Sequence, residues 1–517
     1  MFNTSVAGSS SQASIVAFDN LYSTCTGTVP QTYWAYDTGG TISTSVVLSP
    51  LDGTQVAFIH SATPAQLVLL KWKAGTGTVS SPVTPTAVAN SAYNTCTAPC
   101  MTTINFDEGY GDTNSSPFYD YSSDDAIYVG DNHGNLHKFS PVFNGTPKEV
   151  TSGGWPVAVS SYILTSPVYD STSKLVFFGD SGGYLYSVPA TGGTAKGSSQ
   201  LGNSPPGIVD GPLVDSTTET VYAFVADAIP FAYCGGHSDE SCAHIIQFDA
   251  ASVRGTGSGY ATLGIGSTMR TLYSGAFDNT FYSNTGTTPT GNLYVCAFNA
   301  NTTNAPALAL IAQVPMTLFG CGTPSCQNVP HTSALTSVAA NCSPMSEIYN
   351  QRTLQGTVNN SNHTVTATTG TFTPADVGAT ISGTGISLGA YITGYTSSTT
   401  VTVSGTTASE TGVTITVGDD WVYTSVTNNG SATGCTSGAC IYGFNVASGI
   451  LSTSPVMARA VAGGTSGIIV DNTGTGGGSQ VYFTYLGAAS STVECPPPSL
   501  DPTSEGCAVQ ASQAALQ

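Results

Sequence analysis

Positive charge is what this 517-residue chain has least of: ten Lys and Arg stand against thirty Asp and Glu, a formal net charge of −20. Nucleic acids and anionic membrane surfaces are recognised through clustered basic side chains, so this balance argues against both as partners. Charge of either sign is scarce at 8%, where ordinary domains carry about 25%, which leaves solubility to Ser, Thr, Asn and Gly. No apolar run approaches the roughly 18 residues of a membrane-spanning helix. Met1 to Ser14 has neither the basic n-region nor the apolar h-region of a signal peptide. Aromatic and β-branched residues are not lacking. They recur in short runs, which separates the chain from disordered Ser/Thr/Gly-rich sequences.

Those runs repeat. Ser116-Pro117-Phe118-Tyr119-Asp120, Ala126-Ile127-Tyr128-Val129-Gly130-Asp131 and Gly134-Asn135-Leu136-His137-Lys138-Phe139 are matched by Ser166-Pro167-Val168-Tyr169-Asp170, Leu175-Val176-Phe177-Phe178-Gly179-Asp180 and Gly183-Tyr184-Leu185-Tyr186-Ser187-Val188. Gly130 and Gly179 lie 49 residues apart, the interval of a propeller blade. Period-two alternation in runs of four to six marks strands rather than helices. Seven such units follow one another, with middle strands near Val56, Ile127, Val176, Val221, Phe281, Val422 and Val481. The expected fold is therefore all-β, a seven-bladed β-propeller.

One interval is too long. Between Phe281 and Val422 lies a Thr/Ser/Gly-rich segment, residues 354–418, with its own alternating strands such as His363-Thr364-Val365-Thr366-Ala367. It reads as a small β domain inserted in blade six. The expected organisation is an N-terminal extension at 1–30, a first propeller part at 31–353, the insert at 354–418 and a last propeller part at 419–517. Gln31 to Asp37 belongs to no unit, so it is expected to complete blade seven and close the ring, removing an exposed edge. Ile15 to Phe18 would add a further strand or dock on the rim.

Thirteen cysteines fall mostly in close pairs: Cys96/Cys100, Cys234/Cys242, Cys321/Cys326, Cys435/Cys440 and Cys495/Cys507, with Cys25, Cys296 and Cys342 unassigned. The pairs lie in Gly/Ser/Pro loops and lack the four converging ligands of a zinc site, apart from His237 and His244 near one of them. Disulfides are the expectation, and with them an oxidising compartment. The protein is thus expected to be secreted or cell-surface, its leader removed or replaced at Met1.

The Ile-Tyr-Val-Gly-Asp…Gly-Asn-Leu-His-Lys-Phe pattern resembles the repeats of pyrroloquinoline-quinone-type propellers, well in units two and three and loosely elsewhere. The resemblance implies the fold alone: that family's Cys-x-x-Cys-His haem site and repeated Trp docking signature are absent, so quinone chemistry does not carry over. Sialidases resemble it in fold too, but they need converging arginines, and Arg254, Arg270, Arg352 and Arg459 fit no Asp-box turn. In the insert, Gly370-Thr371-Phe372-Thr373-Pro374-Ala375-Asp376-Val377-Gly378 and Gly383-Thr384-Gly385-Ile386 resemble small β modules of phage-tail and bacterial surface proteins.

Gly179-Asp180-Ser181-Gly182-Gly183 reproduces the nucleophile motif of trypsin-like proteases, but the same slot one blade earlier reads Gly130-Asp131-Asn132-His133-Gly134. It is read as a repeated turn. Asp107, Glu108 and Asp112, grouped with Gly before blade two, would suit Ca²⁺, which wants six to eight oxygens; the same carboxylates could serve a glycoside hydrolase, or simply be solvated. Loops entering inner strands would carry Tyr110, Trp155, Tyr162, Asp210, Arg270, Tyr273, His331 and Arg459 toward one channel mouth, a mixture suited to sugars or small ligands. The expected function is an extracellular binding or structural scaffold for a glycan or surface protein. The rivals are a carbohydrate-active enzyme using mouth carboxylates and a fibre subunit whose N-terminal strand pairs with the neighbouring copy.

Overall fold

The computed structural model describes residues 1–20, 31–50, 53–107, 111–122, 124–227, 241–255, 257–266, 271–299, 308–320, 329–471, 480–486 and 508–512. They form eight separate sheets, one after another along the chain, antiparallel except where Thr86–Ala87 pairs in parallel with Cys100–Asn105, with only short helical turns between them. By contacts the chain divides into two compact units, residues 1–233 with 244–260, and 234–243 with 261–517.

The third and fourth sheets show the repeat at its plainest. Phe118–Tyr119, Ile127–Gly130, Asn135–Phe139 and Val157–Ala158 run as a four-stranded meander, and so do Val168–Asp170, Leu175–Gly179, Leu185–Pro189 and Lys196–Gly197. This is the four-stranded unit from which propellers are built. Between the two sheets lies a shared core of Tyr128, Leu136, Trp155, Leu164, Tyr169, Val176 and Phe178. Two middle-strand glycines make the close packing possible. A Cβ on Gly130 would stand 2.6 Å from Leu164 Cβ, and one on Gly179 would stand 2.5 Å from Ile208 Cγ2.

Two expectations need correction. Gln31–Tyr36 does not join the last sheet. It pairs with Ile15–Asp19, which pairs with Phe2–Asn3, while Ile469–Asp471, Gln480–Thr484 and Ala508–Ser512 make a separate three-stranded sheet. The other edge of Gln31–Tyr36 is also taken: Ala35 N–H donates to Thr76 O at 2.9 Å and Val83 N–H to Ala35 O at 3.1 Å. Local pairing closes a short loop, which costs less chain entropy than reaching a strand hundreds of residues on. Trp34, Tyr36, Ile15 and Ala17 then pack on Val56, Phe58, Val68 and Leu70 of the second sheet. Both edges of the strand are thus paired within the chain. The second correction concerns unit five, where Phe281 lies in a helical turn, Asn279–Tyr282, and the middle strand is Asn292–Asn299. Asp278 directs this switch, its carboxylate accepting from Phe281 N at 3.0 Å, a capping geometry that starts helix rather than strand.

In the seventh sheet, Ser346–Asn359 and Glu410–Val426 pair from Ser346↔Tyr423 to Val358↔Glu410, with one register shift between Gly356 and Thr357. Their near halves belong to the sheet's own meander with Cys440–Asn445 and Met457–Ala460. Their far halves continue into residues 354–418, where Thr364–Thr369, Thr400–Val403 and Ile392–Ser397 extend the sheet. Alternation sorts the far part: Leu354, Val358, Val365, Ile392, Val401, Ile415 and Val417 form its core, and Thr366 and Thr400 hydrogen-bond on the opposite face.

Three disulfides are present among the described residues: Cys96–Cys100, Cys435–Cys440 and Cys296–Cys342. The first two are the expected close pairs. The third joins two cysteines the sequence leaves unassigned. Cys25, Cys234, Cys321, Cys326, Cys495, Cys507 and the side chain of Cys242 lie outside the described residues.

Candidate functional site

In the first unit, the turns after the middle strands and the loops entering the inner strands make one continuous surface. Asn132 N–H donates to Asp112 O, Leu164 N–H to Asp131 O, Ser181 N–H to Ile163 O and Ile208 N–H to Asp180 O, at 2.9–3.1 Å. The turns are built by aspartate. Asp131 accepts from His133 N and Asn135 N at 2.9 and 2.7 Å. Asp180 accepts from Tyr184 N and from the Tyr186 hydroxyl at 3.0 and 3.1 Å. In the Gly-Asp-Ser-Gly-Gly segment, Ser181 Oγ accepts from Ile163 N at 3.2 Å. These are turn-forming roles.

His137, wholly buried, lies between two acids: Nδ1 is 2.6 Å from Glu149 Oε1 and Nε2 is 3.4 Å from Asp131 Oδ2. Burial alone would lower its pKa, but the hydrogen bonds and charges of Asp131 and Glu149 prevail and raise it. Burial also works on Asp131, upward, and there His137 and Asn135 prevail and lower it.

Of the expected channel-mouth residues, Tyr162 lies on this surface, 40% exposed beside the 41% exposed Ile163, its ring over Gly182. Asp210 is half-buried in the loop entering the fifth sheet, where its carboxylate accepts from Gly211 N at 2.8 Å. Trp155 is a correction: it is 5% exposed in the core between the third and fourth sheets, beside Tyr128 and Lys138, because an indole buries more apolar area than a rim position allows. In the second unit, Tyr273 is half-buried, while His331 and Arg459 are exposed. His331 Nδ1 lies 2.8 Å from Thr332 O; Arg459 is on Met457–Ala460, opposite Ile441. Tyr110 and Arg270 lie outside the described residues. Of the proposed cation loop, Glu108 also lies outside them, Asp107 is exposed, and Asp112 is engaged by the Ser61 hydroxyl and by Thr113 N. Among the described residues, no three His, Cys, Asp or Glu side chains converge as a metal cluster.

The second unit holds a group of charges that the sequence reading passed over. Where the two long strands leave the seventh sheet, Arg352 reaches Asp376 at 2.5 Å and Asp419 at 2.7 Å, and Asn445 Nδ2 donates to Asp419 at 2.8 Å. Burial pushes Asp419 up to about 6 in spite of Arg352. On the opposite face of the same ladder lie Glu347, Tyr349 and Asp420, with Tyr349 directly across from Asp420. Asp420 Oδ2 accepts from Asn279 N at 2.7 Å. The Glu347 and Asp420 carboxyls perturb one another, and Glu347 Oε1 and Asp420 Oδ1 are buried with no hydrogen-bond partner among the described residues. Burial, and then the neighbouring carboxylate, drive Glu347 far above the usual carboxylate range. A signal was there to be read: the doublet Asp419-Asp420 enters a strand core, Trp421 to Val426, in a chain almost without charge.

No family model matches the chain, and no curated protein does. Among solved structures, the chain is similar to BamB from Moraxella catarrhalis, with 10% identity over 88% of this chain and 85% of that one and a TM-score of 0.38. It is also similar to the WD40 domain of Toxoplasma gondii coronin, with 11% identity over 75% and 72% and a TM-score of 0.35. Sqt1 of Chaetomium thermophilum matches at 11% identity over 61% and 66%, with a TM-score of 0.35. No helix among the described residues is long and apolar enough to cross a membrane.

Proposed function

We propose that the protein is an exported β-propeller serving as a binding scaffold, with the loop surface of its first unit as the docking face for a surface protein. Tyr162 and Ile163 carry this reading. Two large apolar side chains stand exposed side by side on a backbone held by hydrogen bonds at Ile163, Leu164 and Thr165. A rigid aromatic anchor loses little conformational entropy on binding, which is why Tyr is favoured at interface hot spots. The carboxylates around it are already committed as turn acceptors, which favours contact over catalysis. Disulfides in both units fit an oxidising compartment.

The test is photo-crosslinking on producing cells from benzoylphenylalanine placed at Tyr162, with Tyr395 on the insert as the comparison position. A discrete protein adduct from position 162, weakened at least tenfold by Ile163→Asp, is the expected result. Equal yields from both positions would refute the docking face. An adduct destroyed by glycosidases but not by proteases would replace the protein partner with a glycan.

A further inference from the structure

The two donorless carboxylate oxygens in the second unit ask for a positively charged partner. Asp420 is 2% exposed, and among the described residues its Oδ1 has no hydrogen-bond donor. Glu347 Oε1, on the same ladder face, is likewise buried without one. Leaving a buried carboxylate oxygen uncompensated is among the most costly arrangements a fold can hold. The neighbourhood adds negative charge: Asp278, itself 1% exposed, raises both groups by its field. Arg352, on the same ladder, is engaged by Asp376 and Asp419 on the opposite face.

We propose that Glu347 and Asp420 bind a divalent, oxygen-preferring cation of the Ca²⁺ class, which ties the ladder of the seventh sheet to the Asn279–Tyr282 turn. Hard cations are held by carboxylate oxygens, mono- or bidentate, with water completing the shell. Asp420 gives Oδ2 to Asn279 N and keeps Oδ1 for the ion. Glu347 is half-buried, so water can complete the coordination from its side. Asp278 is already occupied by Phe281 N, Asn292 N and Asn292 Nδ2; it contributes charge to the site rather than a ligand. With two side-chain carboxylates the affinity belongs in the weak class of extracellular modules, about 0.1–1 mM.

Tyr349 lies directly across the ladder from Asp420, close enough to sensitise a bound lanthanide. The experiment is a titration of the full chain with Tb³⁺, excited through tyrosine and then competed with CaCl₂, in wild type, Glu347→Gln and Asp420→Asn. In either variant an amide can donate to the remaining carboxyl, so the fold is retained without the ion. Thermal unfolding with and without 5 mM CaCl₂ gives a readout independent of luminescence. Expected are sensitised emission displaced by Ca²⁺ with a midpoint of about 0.1–1 mM, a melting temperature raised by Ca²⁺, and loss of both responses in each variant. Three results would overturn the proposal: no Ca²⁺ response in wild type, a response retained in both variants, or stabilisation by lowered pH alone, which would place a proton between the two acids.

Discussion

Breaking the Cys296–Cys342 disulfide should weaken the second unit far more than breaking the neighbouring Cys435–Cys440. All four sulfurs belong to one core, with Tyr294, Ile311, Val422, Val426 and Tyr442, so the packing surroundings are shared and the loops differ. Cys296 and Cys342 are 46 residues apart, Cys435 and Cys440 only 5. If a cross-link acts mainly by limiting the unfolded chain, the long loop contributes about 4 kcal/mol and the short one about 2 kcal/mol. Cys→Ala at both members of each pair, followed by guanidinium unfolding under non-reducing conditions, measures the two. The double-alanine variant at 296 and 342 should lower the unfolding free energy by about 2 kcal/mol more than the one at 435 and 440. Because the chain has two units, the transition must be assigned to the second by a local probe, for which the buried Trp421 serves. Equal losses from the two pairs, or a larger loss from the short loop, would refute the loop-entropy reasoning.

His137 has a raised pKa in the folded chain, so its contribution to stability is complete below the unfolded value near 6.5 and fades as pH rises through the folded value. Asp131, lowered by the same contact, loses its contribution as pH falls toward the acid range. Glutamine at His137 should flatten the pH–stability curve on the alkaline side of 6.5, as read by urea unfolding across pH. An added methyl at Gly179→Ala would lie against Ile208 and should cost about 1–3 kcal/mol; Ile208→Val should recover part of it, and an unchanged melting temperature would sink the packing reading. If Ser181 is a turn residue, a fluorophosphonate probe will leave it unlabelled in the folded protein and Ser181→Ala will fold normally; stoichiometric labelling would restore the protease hypothesis.

How far the sequence could be read depends on the range of the interactions involved. The hairpins of the third and fourth sheets were legible, because alternation, Gly-Asp turns and Ser-Pro strand starts are all local signals. Turn chemistry likewise identified Gly179 to Gly183 correctly. The failures came where a local signal competed with another, or where no local signal existed. Phe281 looks like a strand residue until Asp278 is recognised as a cap. Gln31–Tyr36 could satisfy its edges in many ways, and only the packing of Trp34 on the second sheet chooses among them. Cys296 and Cys342 are too far apart in sequence for spacing to pair them. Glu347, Asp278 and Asp420 come from three separate segments, so their meeting is a property of the folded sheets that no single window contains.

The long strands of the seventh sheet also carry a mechanical consequence. The ladder keeps its register from Ser346↔Tyr423 to Gly356↔Val413 and shifts only beyond that, between Gly356 and Thr357, so the outlying part is rooted in a paired two-strand ribbon, with Arg352 tied to Asp376 and Asp419 along it. The strands of that ribbon are the same ones that bear Glu347 and Asp420. Such a ribbon shows how a β-sheet can be extended without a linker, since one hairpin simply grows longer.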